Sequence, residues 1–237
     1  MTKAKQFGAF KGHRFPPEII SHAVWAYFRF PMSFRDVEDI LYKRGVIVSY
    51  EIISSWVGKF GHQYAKVIRR DRPAPSDKWH LDEVVITIRG KKYWLWRAVD
   101  SKGDVLDILV QSRRNTEAAD RVFSKFFKQQ GQQRVPVTDK LGSYGAALRP
   151  LALGIDLRAH KGLNNRAKVS HRPTRRRETI MGRFKSPRQA QRFLSVHDQV
   201  QIIFRPRHHK LSAPAYRQSR SDAHSIWDDI TCELKTG

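Results

Sequence analysis

Two carboxylates stand out because of where they sit. Asp82 interrupts an apolar, β-prone run, Trp79-His80-Leu81-Asp82-Glu83-Val84, and Asp139 closes another, Val137-Thr138-Asp139. A carboxylate embedded in apolar sequence is costly unless something partners it, so each is a candidate ligand. The breaking and joining of phosphodiesters uses such residues. There a pair of divalent ions about 4 Å apart clamps the attacking and leaving oxygens, and oxygen ligands select Mg2+ or Mn2+. Taken singly, either aspartate could equally be a turn or edge residue. Glu83 alternates to the other face of the strand and reads as structural or surface. Glu178, beside Arg175-Arg176-Arg177, reads as the paired acid of a phosphate-binding patch. His160 and His171, isolated histidines in a basic stretch, fit hydrogen bonding or phosphate contact more readily than metal ligation.

The charge balance points the same way. The 237 residues carry 45 Lys+Arg against 22 Asp+Glu, a formal net charge of +23. Nucleic acid is the commonest counter-charge for such a surplus, because each neutralised phosphate releases condensed counterions. The surplus is also concentrated: eleven Lys and Arg fall between Lys161 and Arg192, against the single acid Glu178. Within it Arg172, Arg175, Arg176, Arg177, Arg183 and Lys185 are the candidate backbone contacts, with Arg205, Arg207, His208, His209 and Lys210 following. Hydrophobic residues at 40% and aromatics at 11% argue against a disordered chain. A lone cysteine, Cys232, excludes an internal disulfide framework and a Cys-rich zinc site. No run approaches the roughly 18–20 apolar residues of a membrane span, and the basic N-terminus lacks the apolar core of a secretory signal. The expected setting is soluble, reducing and intracellular, with nucleic acid as partner and neither a membrane nor a small-molecule substrate.

The elements that must position these residues fall into two blocks. Residues 1–15 read as a flexible basic arm. Over 16–68 the apolar spacing predicts three helices. Pro16-Pro17 opens the first, and Ser33 with Asp36 forms a capping box before the second, near 34–44. After Gly45 a turn leads to the third, near 50–60, whose stripe is Ile52, Ile53, Trp56, Val57 and Phe60. Such a block is a helix-turn-helix module, although a structural three-helix bundle shares its periodicity. Ser54, Ser55 and Lys59 lie off the stripe and are the candidate DNA-reaching residues. A proline-punctuated linker occupies 69–77. From Trp79 the period shortens to two, giving strands over 79–88, 93–99 and 105–110 separated by Gly-containing turns. A helix over 116–129, a strand over 135–138, a helix over 142–148 and a fifth strand over 154–158 follow. Ser186-Pro187 opens a long helix carrying Phe193, Leu194, His197, Val200 and Phe204. The fold class is therefore α/β: a mixed-sheet domain over 78–205 behind the helical block, then a basic tail with a terminal helix over 206–237.

Six motifs resemble one family: Trp79-His80-Leu81-Asp82-Glu83, Arg97-Ala98-Val99-Asp100-Ser101, Thr138-Asp139-Lys140, Ser143-Tyr144-Gly145, Leu163-Asn164-Asn165-Arg166-Ala167 and Arg183-Phe184-Lys185-Ser186. In order and spacing they look like the transposases of insertion-sequence family six, over about residues 14–230. The resemblance implies an RNase H-like DDE catalytic domain. Its first Asp lies on the first strand and its second follows the neighbouring fourth strand. A Glu on the helix after the fifth completes the Mg2+ site. It further implies a helix-turn-helix on terminal inverted repeats, action on double-stranded DNA (transposon ends and target DNA), self-association as a homodimer, and a prokaryotic, nucleoid-associated cytoplasmic setting. One position departs. The catalytic Glu of close relatives follows Asn-Asn-Arg-Ala, whereas here Lys168 does, and an ammonium has three donors and no acceptor. Ile155-Asp156-Leu157-Arg158-Ala159-His160 also departs from the family's Glu-His-Arg-Gln pattern. Two departures beside one site imply a decayed copy. Glu178 could substitute only if Pro173 breaks the helix, since ten residues span about 15 Å of continuous helix. A non-catalytic protein competing for transposon ends would use the same DNA-binding features, and Lys168 favours it.

Overall fold

A hairpin with a two-residue turn organises the mixed-sheet block. The computed structural model describes residues 8–73, 78–130, 135–138, 158–159, 165–204 and 211–236. Strands β1 (Lys78–Ile88) and β2 (Lys91–Asp100) pair antiparallel around Arg89 and Gly90, whose φ values are 49° and 77°. Two successive left-handed residues make the turn whose twist matches that of paired strands. Glycine takes this conformation freely; Arg89 does so at some cost. Strand β3 (Val105–Gln111) continues the antiparallel meander on β2. Strands β4 (Val135–Thr138) and β5 (Arg158–Ala159) then add on the other side, parallel to β1 and to each other. The resulting order, β3-β2-β1-β4-β5, is that of an RNase H-like sheet.

Each face of this sheet carries helix. Helix α4 (Thr116–Gln130) packs Ala118, Ala119, Val122 and Phe123 on Leu81, Trp96, Ala98 and Leu106, all buried. Burying each large side chain there contributes roughly 1.5–3 kcal/mol. Lys125 also reaches Asp107 at 2.8 Å. Helices α5 (Asn165–Ile180) and α6 (Pro187–Phe204) serve the opposite face. Arg97 of β2 donates to Thr174 of α5, while Gln191 of α6 accepts from the Val110 amide and donates to the Ile108 carbonyl. Ser186 caps α6 through its hydroxyl on the Gln189 amide at 3.1 Å, ahead of Pro187 at the first helical position. The fifth strand is described only at its end. The described pairing is Arg158 and Ala159 on Val137 and Thr138, while residues 154–157 and the expected helix over 142–148 lie outside the described residues.

The helical unit holds α1 (Pro17–Arg29), α2 (Phe34–Lys43), α3 (Tyr50–Asp71) and α7 (Ala213–Thr236). The capping box is present, with the Ser33 amide on Asp36 at 2.7 Å and the Asp36 amide on Ser33 at 3.2 Å. Gly45, at φ 77°, ends α2 as the left-handed residue of a Schellman motif, with its amide on Tyr42 and the Val46 amide on Leu41. Three expectations need correction. Helix α3 runs to Asp71 instead of ending near residue 60, because Tyr64, Val67 and Ile68 extend its buried stripe. Ile52, assigned to that stripe, is 42% exposed. The arm is ordered from Gly8, and Phe10 is buried, stacked on Phe60 with ring centroids 4.6 Å apart.

The division of the chain also differs. One unit is residues 73–195; the other combines 1–72 with 196–237. The last turns of α6 therefore belong with the N-terminal helices: Gln201 donates to the Phe28 and Arg29 carbonyls. The terminal helix is no loose tail. Trp227 stacks on Tyr64 at 4.2 Å and donates to Ser21 at 2.8 Å, while Thr231 bonds both Ser21 and Tyr64 at 2.8 Å.

Candidate active site

The site is built from the strand β1 face opposite α4. Leu81 points into the α4 core, so Asp82 points the other way by strand alternation. It is 6% exposed. The hairpin sets its neighbour: Asp82 lies six residues before Ile88 and Arg97 six after Lys91, so the two are cross-strand partners. Arg97 is fully buried and anchors through a 2.5 Å hydrogen bond to the Thr174 hydroxyl. A carboxylate and a guanidinium on one buried face demand polar company, and α5 supplies it. His171 places Nε2 3.7 Å from the Asp82 carboxylate and is itself buried. Thr174 and Glu178, one and two turns further on, continue the same buried face of the helix.

Asp82 sits as described. Asp139, one residue past β4, lies outside the described residues. Position 168 falls in the first turns of α5, three residues before His171. Pro173 does not break this helix, which is continuous over Asn165–Ile180. Glu178 therefore stays ten residues from position 168, about 15 Å along the axis, and its carboxylate is held by Arg175 at 2.9 Å. Glu83, on the α4 side, pairs with Arg114, which lies over the Trp94 ring.

The basic residues divide by helix phase. Arg172, Arg175, Arg176, Arg183 and Lys185 are exposed. Arg175 also ties α5 to β1 by donating to the Val85 carbonyl, and with Arg183 it lines an open groove of about 600 Å³ beside Thr87 and Gly182. Arg177 is the exception. It is 2% exposed with its guanidinium over the Phe193 ring at 5.3 Å, so it packs the interior and offers nothing to a phosphate. In the helical unit Ser55 and Lys59 are exposed and Ser54 half-buried, with the Lys59 ammonium 3.4 Å from His13. Sequence reasoning missed Arg97 and Thr174 as partners of the site, and gave His171 a hydrogen-bonding or phosphate-contact role without naming Asp82 as its partner. The hairpin register could have revealed Arg97; nothing local marked the other two.

Residues 76–207 match the family model of the DDE domain, in the IS240 transposase type. The transposase for insertion sequence-like element IS431mec of Staphylococcus aureus is 30% identical over 175 residues, covering 72% of this chain and 78% of that protein. The chain belongs to the DDE transposases of insertion sequences. A second relative of this transposase, at the same identity and coverage, serves insertion sequence element IS257 in transposon Tn4003 of Staphylococcus aureus. Among solved structures, the HTLV-2 integrase catalytic core in complex with magnesium aligns at TM-score 0.41 and 13% identity, covering 63% of this chain and 97% of that one. As a family these enzymes are polynucleotidyl transferases that act on DNA and generally depend on divalent metal. Among the described residues of this transposase, no helix is long and apolar enough to cross a membrane.

Proposed function

We propose that this transposase binds the terminal inverted repeats of its element and carries a divalent-cation site at Asp82 and Asp139, for Mg2+ or Mn2+, in which Lys168 occupies the third acidic position. The observation that carries the reading is the β1–β4 register. Lys78, Trp79 and His80 pair with Val135, Pro136 and Val137, a constant offset of 57 residues. Asp139 follows β4 by one residue in the sequence, and β4 is the strand paired with β1, so the reading expects the two aspartates to serve one ion. The donor chemistry fits a hard cation: Asp82 sits on a buried polar face, and Asp139 would add a second carboxylate. When bound, the cation would stabilise negative charge on the attacking and leaving oxygens. Asp82 is held rigidly for this by its place in the hairpin and by the Arg97–Thr174 anchor behind it.

The remaining assignments support the same reading. The exposed Ser55 and Lys59, with Ser54, would face DNA from α3, and Arg172, Arg175, Arg176, Arg183 and Lys185 would contact backbone phosphates without reading sequence. A homodimer on paired ends, nucleoid-associated in a prokaryotic cytoplasm, completes the picture. Lys168 makes weak catalysis the expected state of this copy. A strand-transfer assay on the element's own ends should show little Mg2+-dependent joining by the unaltered protein, and Lys168→Glu should raise it. Robust joining that survives Glu178→Ala would overturn the assignment of the third position. The same lysine favours a second reading, a non-catalytic competitor for transposon ends. That reading expects metal-independent, salt-sensitive end binding and no joining even by the Lys168→Glu protein.

A further inference from the structure

The helical unit leaves apolar side chains uncovered in one short stretch. Of six large hydrophobic side chains exposed among the described residues, three (Tyr42, Ile47 and Ile52) lie between the last turn of α2 and the first turn of α3. Scattered singly, such residues need no explanation; grouped, they mark a contact surface. We propose that Ile47 and Ile52 read thymine in the transposon ends, packing against its C5 methyl group in the major groove. This rests on the end-binding reading above and names the side chains that set its sequence preference.

Chemistry selects this occupant. Ile52, Ser55 and Lys59, at spacings of three and four, share the exposed face of α3, away from the buried Ile53, Trp56, Val57 and Phe60. An isoleucine cannot bond a phosphate or a polar base edge, and thymine alone presents an apolar group in the major groove. Ile52 is the third residue of α3, where a recognition helix meets base edges, and Ile47 lies in the turn before it. Gly58, on the flank of that face, has nothing within 4 Å of where a Cβ would stand, whereas Gly61 lies against Phe28. A helix-weakening glycine with no packing reason fits close approach of the groove wall. The exposed charges over 43–66 are Lys43, Arg44, Lys59 and Lys66 against Glu51. The Tyr50 and Ser49 hydroxyls already engage the Glu51 carboxylate, and the acids of α2, Asp36, Glu38 and Asp39, all precede this stretch. A second copy of the chain would set this positive rim against itself, whereas DNA phosphates neutralise it.

The test is binding of the full chain to the element's terminal DNA, made with thymine or with uracil in its place. That change removes the methyl and keeps every hydrogen-bonding group. The unaltered protein should bind uracil ends about fourfold more weakly for each methyl it packs against. Ile47→Ala and Ile52→Ala, both at exposed positions, should each weaken binding to thymine ends, and the double variant should bind the two DNAs alike. Lys66→Ala should weaken both equally and keep the discrimination. Equal binding of thymine and uracil ends by the unaltered protein, with its preference for ends over unrelated duplex intact, would overturn this inference alone. So would discrimination that persists in the double variant, or self-association that the double variant abolishes while end binding is unchanged. No preference for ends over unrelated duplex would instead overturn the end-binding reading on which the inference stands.

Discussion

At the scale of single residues, burial decides what a charge is for. Arg175 and Arg177 stand two apart in one arginine run, yet one is exposed on a groove and the other lies under Phe193. Arg175→Ala and Arg183→Ala should each lower the slope of log affinity against log salt by about one, measured on end DNA. Arg177→Ala should leave that slope unchanged and lower the unfolding midpoint in urea. Lys168→Glu should strengthen Mg2+ binding at least roughly tenfold, read by calorimetry, since it exchanges a repelling charge for a ligand. The burial of Asp82 was legible in the sequence because the carboxylate interrupts an apolar strand, although a turn or edge role explained it equally well. Arg97 was legible only to a reader who counts outward from the Arg89-Gly90 turn. His171 was not, because its partner lies on another element and no local pattern relates a helix phase to a strand face. Arg177 was misread for a related reason: a run of arginines looks uniform until the helix is phased against its neighbours.

At the scale of elements, the boundaries that carry their own chemistry were readable. Ser33 with Asp36, Gly45, Arg89-Gly90 and Ser186-Pro187 all act where the sequence places them, because capping and turn geometry are local. The end of α3 and the place of α7 were not readable, since both depend on burial against remote chain. Helix α7 binds α1 and α3 through Trp227 and Thr231. Trp227→Ala should cost about 3–5 kcal/mol of the helical unit's stability, measured by urea unfolding followed at the far-ultraviolet helix signal. The same unit should respond to acid through His22. Burial foremost, then the nearby Arg44 and His224, hold its imidazole below the ordinary 6.5. The folded state thus binds that proton less readily than the unfolded chain. Stability is undiminished above pH 6.5 and falls as pH drops from there through the folded value. Thermal midpoints recorded from neutral into mildly acidic buffer should show this decline, and His22→Gln should flatten it.

At the scale of the whole molecule, a +23 chain organises its charge in two ways. Among the described residues most Lys and Arg face solvent, where the proposed DNA contacts would be made, while Arg97 and Arg177 are drawn inside to brace the sheet and helix α5. End binding should therefore be steeply salt-dependent, weakening by about a thousandfold or more between roughly 50 and 200 mM salt if about six or more phosphates are contacted. The mixed sheet was legible because its period changes abruptly at Trp79. The partition was not, because residues 196–237 return to the N-terminal unit through pairs some two hundred positions apart. The central claim is the proposed cation site shared by Asp82 of β1 and Asp139, the residue that follows β4. Calorimetric titration of Mn2+ into the unaltered protein, Asp82→Asn and Asp139→Asn tests it directly. The account expects one saturable site that either substitution abolishes. A site that survives intact in either variant would contradict it.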